Sequence, residues 1–337
     1  GAEFPWVPHA EMNTIRRRIS SFLRTQESGT TTWQRGSPSA TPAIDDAART
    51  GYVFAPVHET GVRYRTRLGM AGQAHIHIGC CGWHYDDWRG PFYENDTDPD
   101  QELGSYAITF DTVEIDSTFY GIPLATTVHQ WYQRTPARFR FAAKVPRSVT
   151  HEGPLAEGTR EFRAFCAVMR GLGQKLGVLL IQLPPSFTAQ SAGMLDDFLD
   201  QLPTDIRFAV EARHRSLFTD GVYDMLRHHR VAWAISDITG LPIAEEVTAD
   251  FSYVRWMGNR DDVRVFDRET INRSTELVAW RERIIALREQ VSEIFGYFNN
   301  HYSGHAPATA QRFKEMIGLP TTRRTLWRQA SLLDGLA

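Results

Sequence analysis

Residues 112–120 read TVEIDSTFY, and this stretch decides the fold. Its first four residues form a β-branched run with a carboxylate, Glu114, where an apolar side chain is expected. A second, Asp116, follows two positions on. An unpaired buried carboxylate is costly, so a strand that ends in charge points to a site rather than to plain core. The chain repeats this pattern eight times. Short apolar runs stand at 75–80, 112–115, 139–145, 177–183, 207–212, 231–236, 251–257 and 294–300. Between them, spacing predicts helices over 125–134, 159–171, 192–201, 221–229, 274–290 and 307–317. Alternation of strand and helix calls for an α/β fold with a parallel sheet. Eight short strands in one stretch fit a closed (β/α)8 TIM barrel better than an open doubly wound sheet. No G-x-G-x-x-G follows the first strand, which counts against a dinucleotide-binding fold.

Outward from that barrel, expected over 75–320, the chain changes character. Residues 1–74 read as an N-terminal extension and 321–337 as a C-terminal tail. Gly1–Phe4 looks like a remnant of cloning and is set aside. Residues 12–24 predict one amphipathic helix, with Ile15, Ile19, Phe22 and Leu23 on a common face and Arg16, Arg17 and Arg18 around the other. Residues 28–46 are rich in Ser, Thr, Gly and Pro and read as linker. Charge is uneven: the extension carries a balance of +3, the tail +2, and the body −8. So acidic a body is not an obvious binder of nucleic acid, which rests on phosphate neutralisation. Three cysteines, Cys80, Cys81 and Cys166, make no disulfide framework, and a reducing, cytoplasmic location is expected. No apolar run approaches the roughly 18 residues that span a bilayer, so no membrane partner is expected.

In a TIM barrel the site lies at the C-terminal ends of the strands. The polar residues found there are Glu114, Lys144, Gln182, Glu211, Asp237, Arg255 and Asn299, so seven of eight strands place one at or near their end. The blocks IGCCGWHYDDWRGPFY, TVEIDSTFYGIP, FRFAAKVPRSVTH, LLIQLPPSF, RFAVEARHRSLF and YFNNHYSGHAPATAQRF follow in order over residues 75–320. Together they resemble the YecE-like family, domain of unknown function 72. That resemblance implies a TIM barrel related to the xylose-isomerase and endonuclease IV type. It says little of activity, for which DNA binding or phosphodiester cleavage rests on structural analogy. Two departures stand out: Asp116 sits where the family more often has Asn, and the extension has no place in the family pattern.

Glu114, Glu211 and Asp237 can furnish an acid and a base, since neighbouring carboxylates push their pKa values apart. Alternatively they pair with Lys144, Arg213 and Arg255 as ion pairs that shape the mouth. An anion site is expected where residues 303–307, SGHAP, open a helix: free N–H groups at Gly304, His305 and Ala306 would hold a phosphate or carboxylate. Arg255, Lys144, Arg213, His214 and Asn299 would assist; the competing reading is a helix start capped by Ser303. Trp83, Tyr85 and Trp88, with Phe119 and Tyr120, form either an aromatic wall able to stack a base or sugar, or the packed underside of a loop. His151, His214, His301 and His305 with the carboxylates offer ligands for Zn²⁺ or Mn²⁺. The interleaved cations oppose a divalent metal there, and structural histidines are the better reading. His75 and His77 share a face of the first strand, but at its start. Cys80 and Cys81 read as buried, inert thiols. These observations lead to an enzyme, hydrolase or isomerase, acting on a small anionic, phosphate-bearing ligand at the mouth. The alternative is a nucleic-acid-binding or repair module with endonuclease IV-like phosphodiesterase character.

Overall fold

Each of the eight predicted strands forms, and they close in sequence order into one parallel barrel. They are β1 (His75–Cys81), β2 (Thr112–Ile115), β3 (Arg140–Lys144), β4 (Leu176–Gln182), β5 (Phe208–Glu211), β6 (Ala232–Ile238), β7 (Phe251–Gly258) and β8 (Glu293–Phe298). Closure comes from β1 against β8, in register from His75 opposite Glu293 to Cys80 opposite Phe298. This is the (β/α)8 architecture that the alternation predicts. The computed structural model describes residues 74–153, 155 and 160–321. The extension with its expected helix, and the tail beyond 321, lie outside the described residues.

The helices are α1 (Pro99–Thr109), α2 (Ala125–Gln133), α3 (Arg160–Met169), α4 (Ala192–Leu199), α5 (Asp220–His229), α6 (Ser274–Arg288) and α7 (Ala306–Met316). The sequence reading has no counterpart of α1. Its start signal is nevertheless present: Asp98 accepts from the N–H of Asp100 at 2.8 Å, and Pro99 occupies the first turn. Gly104 in its middle weakens the helical pattern and hides it. Among the described residues, no helix is long and apolar enough to cross a membrane.

Alternation within the strands makes two cores. Ala142, Leu180, Ala209, Ala234, Tyr253 and Tyr297 fill the barrel interior. Val113, Ile181, Val210, Ile235, Trp256 and Phe298, of the opposite parity, pack outward under the helices. There Trp256 stacks on Phe298 with centroids 4.0 Å apart and meets Trp280 edge-on at 5.4 Å. Such ring pairs contribute about 0.5–1.5 kcal/mol beyond their area. Two residues further along each strand, the interior changes from apolar to polar. Lys144 follows Ala142, Gln182 follows Leu180, Glu211 follows Ala209, Ser236 follows Ala234 and Arg255 follows Tyr253. Side chains two apart share a face, so this stack ends in one polar layer below the mouth.

Candidate functional site

Arg255 is the centre of that layer. Only 1% exposed, it donates from Nη2 to Glu114 Oε1 at 2.6 Å and from Nη1 to Glu211 Oε2 at 2.5 Å. Glu114 also accepts from the Tyr253 hydroxyl at 2.5 Å. Glu211 accepts from Gln182 Nε2 at 2.6 Å, from Ser236 Oγ at 3.0 Å and from Arg213 Nε. Both carboxylates are fully buried, and neither borders the cavity above. Burial pushes the Glu211 carboxyl up, but the adjacent Arg213 and Arg255 outweigh it and hold the group well below the usual range. Taking such charges from water costs several kcal/mol each and is offset only when hydrogen bonds are complete. Here they nearly are: of the Arg255 nitrogens, only Nε lacks an acceptor. The geometry therefore favours the ion-pair reading of Glu114 and Glu211, as anchors for the guanidinium.

Above this layer lies a cavity of about 370 Å³, bordered by Asp116, Lys144, Arg213, Arg255, Arg260 and His301 on its polar side. Tyr85, Phe119, Tyr120 and Phe266 supply its rings. Asp116 follows β2 and stands 3.7 Å from Arg255 Nη2 with its side chain 31% exposed. Burial first, then the Glu114 charge, push its carboxyl up to about 6, against the pull of Arg255 and Lys144. Lys144 Nζ sits 4.0 Å over the Phe119 ring and makes no ion pair among the described residues. Burial, with Arg255 nearby, lowers its pKa. His301 donates from Nδ1 to the Val263 carbonyl at 3.1 Å, and burial lowers its pKa. A neutral ring with its proton on Nδ1 leaves Nε2 as an acceptor. Asn299 borders the cavity too, while its Oδ1 accepts from the His301 N–H at 3.0 Å and starts the turn Asn300–Ser303.

Several expected members lie elsewhere. Asp237 follows Ser236 by one residue and so takes the outward face, where it accepts from Trp280 Nε1 at 2.9 Å. His214 turns back to accept from the Ser216 N–H at 3.2 Å and does not border the cavity. Two of the three N–H groups of the expected anion loop, those of Gly304 and Ala306, are taken by the protein itself. Asn300 Oδ1 accepts from the Ala306 N–H at 3.0 Å, the Gly304 N–H donates to the Asn300 carbonyl at 2.7 Å, and His305 Nδ1 donates to the Phe266 carbonyl at 2.8 Å. Gly304 serves passage instead: its φ is +112°, and a Cβ would lie 2.4 Å from the Arg268 carbonyl. The helix start is capped, by Asn300 rather than Ser303, whose hydroxyl pairs with Thr309. Trp88 is core, fully buried and donating to Asn300 Oδ1 at 3.1 Å. Trp83 packs edge-on against Trp131 at 5.7 Å. The wall consists of Tyr85, Phe119, Tyr120 and the unforeseen Phe266.

A metal at the mouth fits poorly. Cys81, Glu114 and Asp116 present ligand atoms close together, but the Arg255 guanidinium already holds both carboxylates. Burial, then Glu114, push the Cys81 thiol well above its ordinary value, so no thiolate is available.

Gly258, which ends β7, brings the Asn300–Ser303 turn to the rim. Its φ is +64°, and a Cβ would meet the His301 carbonyl at 2.3 Å. Gly258→Ala is expected to cost about 2–3 kcal/mol by urea denaturation, from backbone strain plus the clash. An unchanged midpoint would show that the turn can shift away.

A model of the family described as "Protein of unknown function DUF72" matches residues 77–331. The chain is 30% identical over 146 residues to the UPF0759 protein YecE of Escherichia coli, covering 43% of this chain and 51% of that protein. It thus spans about half the length of that relative. Against the UPF0759 protein YunF of Bacillus subtilis, identity is 25% over 274 residues, covering 72% of this chain and 95% of YunF. The crystal structure of a DUF72 family protein from Thermotoga maritima superposes with a TM-score of 0.64 at 28% identity, over 72% of this chain and 99% of that one.

Proposed function

The chain belongs to the DUF72 family of unknown function, and from that premise we propose that the barrel mouth is the active site of an enzyme acting on a small anionic, phosphate-bearing ligand. One observation carries this reading. The cavity is bordered by Lys144, Arg213, Arg255 and Arg260, against a single bordering carboxyl, Asp116. Glu114 and Glu211 below compensate only two of the four cations, so an anion completes the balance. Lys144 is the strongest candidate to meet it, because no carboxylate holds it and its burial sharpens the interaction. Arg213 and Arg260 flank the same space.

Asp116 then serves as general base, ionised at neutral pH yet with its pKa raised toward the working range. His301 Nε2, across the same cavity, is a second proton acceptor. Such a pair suits activation of water toward a phosphoester, and equally proton removal beside the carbonyl of a sugar phosphate. Isothermal titration with inorganic phosphate tests the binding half. The wild type is expected to bind, and Lys144→Met to weaken binding at least about tenfold, roughly the loss of one charged hydrogen bond. Equal affinity of the two proteins would remove the reading.

The second reading, a nucleic-acid module, is favoured by Tyr120, 77% exposed at the rim beside Phe119. A displaced base could stack there. Fluorescence anisotropy with single- and double-stranded DNA at two salt concentrations decides it, because phosphate-driven binding must weaken with salt.

A further inference from the structure

His75 and His77 have no part in the mouth. Both point from β1 to the same face at the opposite end of the barrel, where the strands begin. His77 is 2% exposed and its ring stacks on Phe295 at 5.1 Å with an 18° tilt, which fixes the ring plane. Its Nε2 lies 2.9 Å from Glu293 Oε1, and Arg207 holds the other Glu293 oxygen at 2.5 Å. Its Nδ1 lies 2.8 Å from Asp111 Oδ2. The His75 ring is 4.4 Å from that of His77, and its Nε2 lies 4.0 Å from the same Asp111 oxygen.

From this geometry we propose that His75 Nε2, His77 Nδ1 and Asp111 Oδ2 form a site for a divalent cation of the Zn²⁺ class. The three atoms lie within 4.8 Å of one another. Tetrahedral ligands about 2.0–2.1 Å from zinc stand roughly 3.3 Å apart, and the separations of 2.8 and 4.0 Å bracket that value. A modest rotation of His75, 70% exposed, closes the difference. Glu293 accepts a hydrogen bond from Nε2, so Nδ1 can present its lone pair to an ion once the proton it shares with Asp111 leaves, the arrangement that zinc-binding histidines share. The ion takes the place of the proton between Nδ1 and Oδ2. The nearby cations are engaged elsewhere, Arg207 with Glu293 and Lys314 with the Thr109 carbonyl at 3.3 Å. With His75 70% and Asp111 24% exposed, water would supply the fourth ligand. Asp111 precedes β2, so the ion would tie β1 to the start of its neighbour.

Titration of the metal-stripped full chain with ZnCl₂ at pH 7.5 tests this. The expected result is one high-affinity site per chain, weakened at least about tenfold in His75→Ala, whose exposed position spares the fold, and likewise in Asp111→Asn. Asp116→Asn is expected to bind as the wild type does. Co²⁺ in place of Zn²⁺ should give visible absorption without a thiolate charge-transfer band. Absence of binding, binding unaltered by His75→Ala and Asp111→Asn, or a thiolate band abolished by Cys81→Ser would each overturn the assignment.

Discussion

Replacing Arg255 by Met is expected to lower the free energy of unfolding by about 3–5 kcal/mol, the range found when one partner of a buried ion pair is removed. Methionine roughly fills the side-chain volume, so loss of packing contributes little. The damage comes from what stays behind. Glu114 and Glu211 are both fully buried, and without the guanidinium the first keeps the Tyr253 hydroxyl and the Cys81 thiol, while the second keeps Gln182, Ser236 and Arg213. Two like charges then face each other in a low dielectric, and their proton affinities rise. A raised folded-state pKa favours the fold at low pH and is felt as a penalty above it. The deficit of Arg255→Met should therefore shrink as pH falls. Chemical denaturation across pH measures it, and adding Glu114→Gln and Glu211→Gln should recover much of the loss. A variant as stable as the wild type at pH 7 would mean that the carboxylates are not truly buried.

Asp116→Asn should cut turnover by about 10²–10⁴-fold, the usual contribution of a positioned general base, on whichever phosphoester or sugar phosphate the wild type converts. The wild-type kcat/KM should fall as pH drops through about 6, where Asp116 takes up its proton. The same substitution should stabilise the fold. The carboxyl is raised from an ordinary 3.8 to about 6, so its contribution is fully present below the lower value and lost as pH rises through the upper one. Asparagine escapes that penalty. At this partly open position solvent screening reduces the gain to about 1 kcal/mol, roughly 2–4 °C in Tm at pH 7.5 and nothing near pH 3. Loss of turnover with a rise in Tm marks a group kept for chemistry. Unchanged turnover would remove Asp116 from the chemistry.

What sequence reveals here follows from period. Glu114, Lys144, Gln182, Glu211 and Arg255 are legible because each sits at the inward parity of a strand, and all but Glu114 stand two residues beyond an interior apolar neighbour. Asp237 shows how narrow that inference is. Displaced by one from Ser236, it occupies the other face. Asp116, Asn300 and His301 follow β2 and β8 in turns, where no period exists to aim a side chain. Pattern does not choose which of Glu114, Glu211 and Asp237 pairs with Arg255, for another reason. Its bond to Glu114 joins residues 141 apart in sequence, and its bond to Glu211 residues 44 apart, distances at which pattern says nothing of pairing. Gly304 looked like a phosphate loop, yet its freedom serves the close pass over Arg268.

The placement of that single guanidinium also bears on how the ring is assembled. Its two glutamates arrive on β2 and β5, whereas Arg255 itself waits until β7. An emerging polypeptide with six strands complete holds Glu211 with Arg213 alone and Glu114 with no cation against it. Only when the seventh strand delivers the counterion can the wall draw shut, so halves of this molecule should not persist alone.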